Sequence, residues 1–218
     1  QRKINAAYNA VTRHMKTPTK NKVAVKYEGA NGEKRDITYV QLEEESNKFA
    51  NALTRLGVKK GDRVFIFLPR VPEVHACFLG ILKTGAIAST LFSAFGPGAL
   101  KDRLENSDAC AIITDTALKP RVDEIRGQLP HLKHVIVTND PKEGETALDA
   151  AKGEKLYHDL IAKESNAFKC VETSADDPAF LLYTSGSTGK PKGVVHAHGG
   201  IVQQQLSTKW VLDLHEDD

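Results

Sequence analysis

The sequence predicts an α/β fold in which a mostly parallel sheet is flanked by helices. Three observations carry the prediction. Short apolar runs of strand length stand at residues 62–68, 86–92, 109–114, 134–138 and 179–184. Stretches with helical spacing of their apolar residues, at 38–56, 72–84 and 97–107, precede or separate them. Proline or glycine punctuates many of the boundaries. Strands that alternate with helices are joined by crossovers, and crossovers build parallel sheets covered on their faces.

In chain order, residues 1–20 are polar and read as a surface helix followed by a loop at Thr17-Pro18-Thr19. Residues 23–27 alternate as a strand does, Gly29-Ala30-Asn31-Gly32 is turn chemistry, and residues 35–38 return as the second arm of a hairpin. Thr38 with Gln41 forms a capping box, and Ile37 with Leu42 stands where a hydrophobic staple belongs. Leu42, Phe49, Leu53 and Leu56 share one helical face, and Gly57 ends that helix. A strand follows at 62–68 and stops at Pro69. Pro72 opens a helix carrying Val74, Cys77, Phe78, Ile81 and Leu82 on one face, closed by Gly85. A strand at 86–92, a helix from Pro97 through Ser107, and strands at 109–114 and 134–138 continue the alternation. Residues 139–175 are polar and read as a connection over the surface with a short helix near 156–163. The strand at 179–184 leads into a loop, Gly193-Val194-Val195-His196 reads as a further strand, and residues 198–211 read as a helix.

Composition narrows the function. The chain has 218 residues, enough for one or two domains with a real core. Its formal net charge is +2. A nearly balanced surface argues against nucleic acid as the main partner, since that affinity comes from phosphate neutralisation. Cys77, Cys110 and Cys170 lack a C-x-x-C spacing and read as reduced thiols of a cytoplasmic protein. No apolar run has the length of a membrane span.

The loop after residue 184 carries the chemistry. Thr184, Ser185, Ser187 and Thr188 supply hydroxyls; Gly186, Gly189 and Gly193 let the backbone approach an anion; Lys190 and Lys192 supply positive charge. The P-loop spacing G-x-x-x-x-G-K-[ST] is not met, because Gly186 and Gly189 are too close and Pro191 stands where a hydroxyl should hold magnesium. Pro191 also keeps Lys190 extended, so a helix does not begin there. The reading is a strand–loop–strand clamp for a polyphosphate. In parallel sheets, ligands lie beyond the carboxyl ends of strands. The loops at 68–72 and 91–97 are therefore expected to face the same crevice.

This pattern resembles the signature of the adenylate-forming superfamily, an apolar strand followed by [ST]-S-G-[ST]-T-G-x-P-K-G, and residues 184–193 match it throughout. The superfamily contains acyl-CoA synthetases, luciferases and peptide-synthetase adenylation domains. The chain is most similar to the acetyl-CoA synthetases, through Gly61-Asp62-Arg63-Val64, Pro69-Arg70, Lys83-Thr84-Gly85-Ala86-Ile87, Phe92-Ser93-Ala94-Phe95 and Lys101-Asp102-Arg103-Leu104-Glu105. The resemblance implies that residues 1–218 are the first part of a large N-terminal AMP-binding domain. A chain that starts at Gln1 and stops at Asp218 is expected to be cut from a longer protein, inactive by itself.

The resemblance further implies the substrates ATP, CoA and a short carboxylic acid, with Mg2+ held by ligands outside this chain. The carboxylate attacks the α-phosphorus of ATP, pyrophosphate leaves, and CoA thiolate then displaces AMP. Thr184, Ser185, Gly186, Ser187, Thr188, Gly189, Lys190 and Lys192 are assigned to the β- and γ-phosphates, with Thr184 and Lys192 as the catalytic pair. Ala94, where the family often has glycine, is assigned to the CoA passage, and Arg121 is preferred to Lys119 as the contact to the CoA phosphates.

Other residues carry plainer readings. His196 and His198 share a strand face and read either as a partial metal site or as strand-end residues. Cys77 reads as core, Trp210 with Val211 and Leu214 as packing, and Glu43-Glu44-Glu45 as a solvated helix face. Arg70 is either a surface residue or a CoA contact. Two functions compete with the acyl-CoA synthetase: a peptide-synthetase-type adenylation domain, and a non-catalytic nucleotide-binding module.

Overall fold

The computed structural model describes residues 3–139, 148–184 and 189–215. A short helix α1 (Ala6–Ala10) and two 3-10 turns lead into the hairpin β1 (Val23–Glu28) and β2 (Lys34–Thr38). The elements α2 (Tyr39–Arg55), β3 (Arg63–Ile66), α3 (Glu73–Lys83), β4 (Ile87–Thr90), α4 (Pro97–Asn106), β5 (Ala111–Thr114), α5 (Lys119–Arg126) and β6 (His134–Val137) then alternate. They are followed by β7 (Glu154–Leu156), α6 (Tyr157–Ala162), β8 (Pro178–Thr184), β9 (Lys192–Ala197) and α7 (Gly200–Trp210).

Among the described residues seven strands form one sheet in the order β7-β6-β5-β3-β4-β8-β9. Its neighbours are parallel except for β8 and β9, which run antiparallel. The parallel strands are buried on both faces, which explains their unbroken apolar runs. Side chains alternate across the sheet. Val64, Ile66, Ile113 and Ile136 pack with Phe49, Leu53, Cys77 and Ile81 from α2 and α3. Phe65, Phe67, Ile112 and Val135 pack on the opposite face with Leu100 and Leu104 of α4 and Val122 and Ile125 of α5. The result is three layers. The hairpin β1–β2 is a separate sheet that buries Ile37 with Leu42, Val11 and Ala76. Among the described residues no helix is long and apolar enough to cross a membrane.

The capping box forms as expected. Gln41 N–H donates to Thr38 Oγ1 at 3.3 Å, and Thr38 N–H donates to Gln41 Oε1 at 2.8 Å. Other expectations are corrected. The N-terminal helix is not superficial: Ala6, Ala7 and Val11 are buried, and Asn5 caps it by accepting from the Ala7 and Tyr8 amides. Residues 139–175 are more than a surface connection, because β7 joins the sheet edge and Tyr157 and Leu160 enter the core. The helix α5 was not expected, since Pro120 sits in its first turn and its sequence is mostly polar. Trp210, Val211 and Leu214 are exposed rather than packed.

Glu43 overturns the solvated-face reading of the acidic run. It is buried, and its Oε2 accepts from Lys83 Nζ at 2.6 Å and from Thr12 Oγ1 at 2.9 Å. Lys83 Nζ also donates to Asn47 Oδ1 at 2.6 Å and Ser46 Oγ at 2.8 Å. Burial holds the Lys83 ammonium below the usual lysine range, against the raising effect of Glu43.

Candidate functional site

The clamp stem is the hairpin of β8 and β9, which pair Tyr183 with Gly193 and Thr184 with Lys192. The predicted strand–loop–strand is therefore present. Ser185, Gly186, Ser187 and Thr188 lie outside the described residues. Thr184, Gly189, Lys190 and Lys192 are exposed. Gly189 has φ of +81°, a left-handed conformation that a side chain would strain. Neither Lys190 nor Lys192 forms an ion pair with a carboxylate among the described residues, so both charges stand available to an anion.

Gly193 packs closely against its own hairpin. A Cβ there would stand 2.9 Å from Leu181 Cδ1 and 3.4 Å from the Tyr183 ring. The end of the Leu181 side chain would have to shift, whereas the Tyr183 ring stands at ordinary contact distance. The Tyr183 hydroxyl is 2.8 Å from Asn106 Oδ1 and 3.1 Å from the Arg103 carbonyl, two acceptors on α4. Burial pushes the Tyr183 phenol above its usual range.

The loop between β4 and α4 leaves the sheet at the same edge as the clamp, because β4 and β8 are parallel neighbours. Arg121, on α5, donates from Nη1 to the Ser93 carbonyl at 2.8 Å and the Phe95 carbonyl at 3.1 Å. The two residues assigned to CoA are thus brought together, with exposed Ala94 between the two anchored carbonyls. Arg121 has no carboxylate partner among the described residues. Lys119 differs: it is buried, and its ammonium lies 2.8 Å from Asp123 and 3.1 Å from Glu154. Its charge is already matched within the fold. The two partners raise its pKa, although burial, the largest single influence, acts the other way.

The loops at 68–72 and 91–97 do share a crevice. Leu68 to Pro72, Leu91, Phe92 and Ser93 line a cavity of about 490 Å³. Its far wall is Val25 to Glu28 of β1, not the clamp, because the separate hairpin sheet packs there. Arg70 is exposed on this rim.

The two histidines diverge. His198 lies beyond the end of β9, fully buried, and its Nδ1 accepts from the Ala6 amide at 3.0 Å. Burial holds its pKa below the usual histidine value. His196 stacks on Phe180, with ring centroids 4.5 Å apart and planes 9° apart. Among the described residues no group of three or more His, Cys, Asp or Glu could hold a metal ion.

Arg103 enters the sequence reading only as part of the resemblance at 101–105, without a role; its guanidinium stands 4.2 Å from the Phe95 ring centroid and 5.7 Å from that of Tyr183. A lone arginine in a mixed helix carries no local signal of such a contact; it arises only when the two aromatic residues converge.

Comparison with known proteins agrees with this geometry. Residues 11–218 match the family model described as AMP-binding enzyme. The chain is 46% identical over 218 residues to an acetyl-coenzyme A synthetase of Bacillus subtilis (strain 168), which covers 99% of this chain and 36% of that protein. It is 40% identical over 232 residues to a 3-hydroxypropionyl-coenzyme A synthetase of Sulfurisphaera tokodaii, covering 99% of this chain and 34% of that protein. Among solved structures, an acyl-CoA synthetase of Brucella canis superposes with a TM-score of 0.87 at 27% identity, covering 99% of this chain and 37% of the other. An anthranilate CoA ligase, AuaEII, in complex with anthranoyl-AMP gives a TM-score of 0.81 at 28% identity, covering 97% and 38%. The chain spans about a third of the length of the curated relatives it matches. On the family match and these relatives, the chain belongs to the AMP-binding enzyme family.

Proposed function

We propose that the chain is the first part of the large AMP-binding domain of an AMP-forming acyl-CoA ligase acting on acetate or another short carboxylic acid. The observation that carries the reading is the hairpin clamp at the carboxyl edge of the parallel strands, with Thr184 facing Lys192 across its mouth. Relatives named for acetate and for 3-hydroxypropionate support a short acid.

A carboxylate is a poor acyl donor because its oxygen leaves badly. Attack by the carboxylate on the α-phosphorus of ATP forms an acyl-adenylate and releases pyrophosphate. The thiolate of CoA then attacks the acyl carbon and AMP departs. Catalysis of this kind rests on positioning and charge stabilisation. The hydroxyls of Thr184, Ser185, Ser187 and Thr188, and the amides of Gly186 and Gly189, bind the β- and γ-phosphates. Lys192 neutralises charge as pyrophosphate separates, with Lys190 at the rim. Ala94 borders the CoA passage, and Arg121 meets the CoA phosphates. Mg2+ accompanies the nucleotide on ligands outside the described residues. The three free cysteines suit a reducing compartment, so we place the protein in the cytoplasm.

The test is ATP–pyrophosphate exchange in the full-length protein with Lys192→Ala. Loss of a charge-assisted hydrogen bond predicts a fall of roughly tenfold to a hundredfold. Unchanged exchange refutes the assignment.

A further inference from the structure

We infer that Arg103 is a positioning residue that ties the loop at 91–96 to the clamp strand β8, so that thiol-side and phosphate-side residues share one frame. The inference rests on the acyl-CoA ligase reading above. Arg103 lies on α4 and is 9% exposed. Its Nη1 donates to the Ala99 carbonyl at 2.7 Å, one turn back on its own helix. No carboxylate pairs with it among the described residues, and its buried Nε has no hydrogen-bond partner. A guanidinium withdrawn from water without a counter-ion is costly unless something else receives its charge. Here the receivers are two aromatic faces, Phe95 at 4.2 Å and Tyr183 at 5.7 Å.

Those two rings belong to different parts of the site. Phe95 follows Ala94 in the loop after β4, and Tyr183 immediately precedes Thr184. The same cation therefore spans both. The planar guanidinium can lie flat against a ring, which an ammonium cannot do. The two ends are not equally secure. Tyr183 is also fixed by its pairing with Gly193, its hydrogen bonds to α4 and the Phe65 ring 6.5 Å away. The Phe95 ring packs at the margin of the core beside Leu100 and Leu104 and meets the exposed Phe92 edge-on at 5.9 Å, and its carbonyl accepts from Arg121. The strand β8 is paired on both sides, whereas the loop has no sheet partner, so loss of the cation loosens the loop more than the strand and the effect falls on the thiol step.

The experiment compares ATP–pyrophosphate exchange with the KM for CoA in the full-length protein. The variants are Arg103→Lys, Phe95→Leu and their combination. Arg103→Lys is expected to raise the KM for CoA about threefold to thirtyfold, the span of a cation–π contact, with exchange within about twofold of the unaltered protein. The double variant is expected to fall short of the product of the two single effects, because both remove the Arg103–Phe95 contact. Phe95→Leu sits on a loop and keeps the test open if Arg103→Lys folds poorly. An unchanged KM for CoA in both single variants, or exchange falling in step with it, overturns the inference. If the unaltered protein shows no CoA-dependent turnover, the ligase reading fails, and the inference with it.

Discussion

Lys83 and Glu43 are worth most as a pair. With both buried, removing one leaves an uncompensated charge or an unfilled acceptor, whereas an apolar pair of similar volume costs little. Lys83→Met is therefore expected to destabilise the fold by about 3–5 kcal/mol in denaturant unfolding, with much of the loss recovered when Glu43→Leu is added. His198 predicts a pH dependence. Its folded pKa is depressed by burial, and its Nδ1 must stay unprotonated to accept from Ala6. A depressed pKa gives stability that is present in full above the unfolded value and lost as pH falls through the folded one. Acidification below roughly pH 6.5 should thus weaken the chain. His198→Asn, which keeps an acceptor in the Nδ1 position, should flatten that slope. A slope unchanged in the variant would assign it to other groups. Neither role was legible in the sequence. Glu43 reads as one of three surface acids, and His198 as half of a histidine pair, until the fold brings Lys83 and Ala6 against them.

At the scale of elements, the helix α2 was legible from its first residues. Thr38, Gln41, Ile37 and Leu42 are a local pattern, and local patterns survive in sequence. Thr38→Ala removes the side-chain cap and is expected to cost about 1 kcal/mol, measured as a shift of the unfolding midpoint without a change of slope. The clamp hairpin was legible for a related reason: Pro191 and the glycines mark where regular structure stops. The elements that escaped are those defined by partners rather than by pattern. The strand β7 has three residues and exists because it pairs with β6. The helix α5 is mostly polar on the outside and shows its purpose in the buried contacts of Val122 and Ile125.

At the scale of the whole molecule, parallel order brought the loops after β3, β4 and β8 to one edge, as their positions in sequence imply. The hairpin that walls the crevice was not foreseeable, since it packs from another sheet. Arg35 of β2 and Glu73 of α3 help to seat it, 3.1 Å apart. The chain spans 36% of the length of its acetyl-coenzyme A synthetase relative from Bacillus subtilis. The 218 residues alone are accordingly expected to form no thioester from acetate, ATP and CoA, assayed as AMP release. Turnover by this chain would show that the stretch carries a complete site.

Arg121 has a consequence for how this site can drift under mutation. One nitrogen of its planar fork, Nη1, donates to two carbonyls of the loop beside Ala94, and carbonyls leave its charge unspent. Lysine at that position would preserve the charge and give up the planar fork, while glutamine would preserve a donor and give up the charge. Few single substitutions satisfy both demands, so tolerance at residue 121 should be far narrower than its half-exposed place on a polar helix suggests.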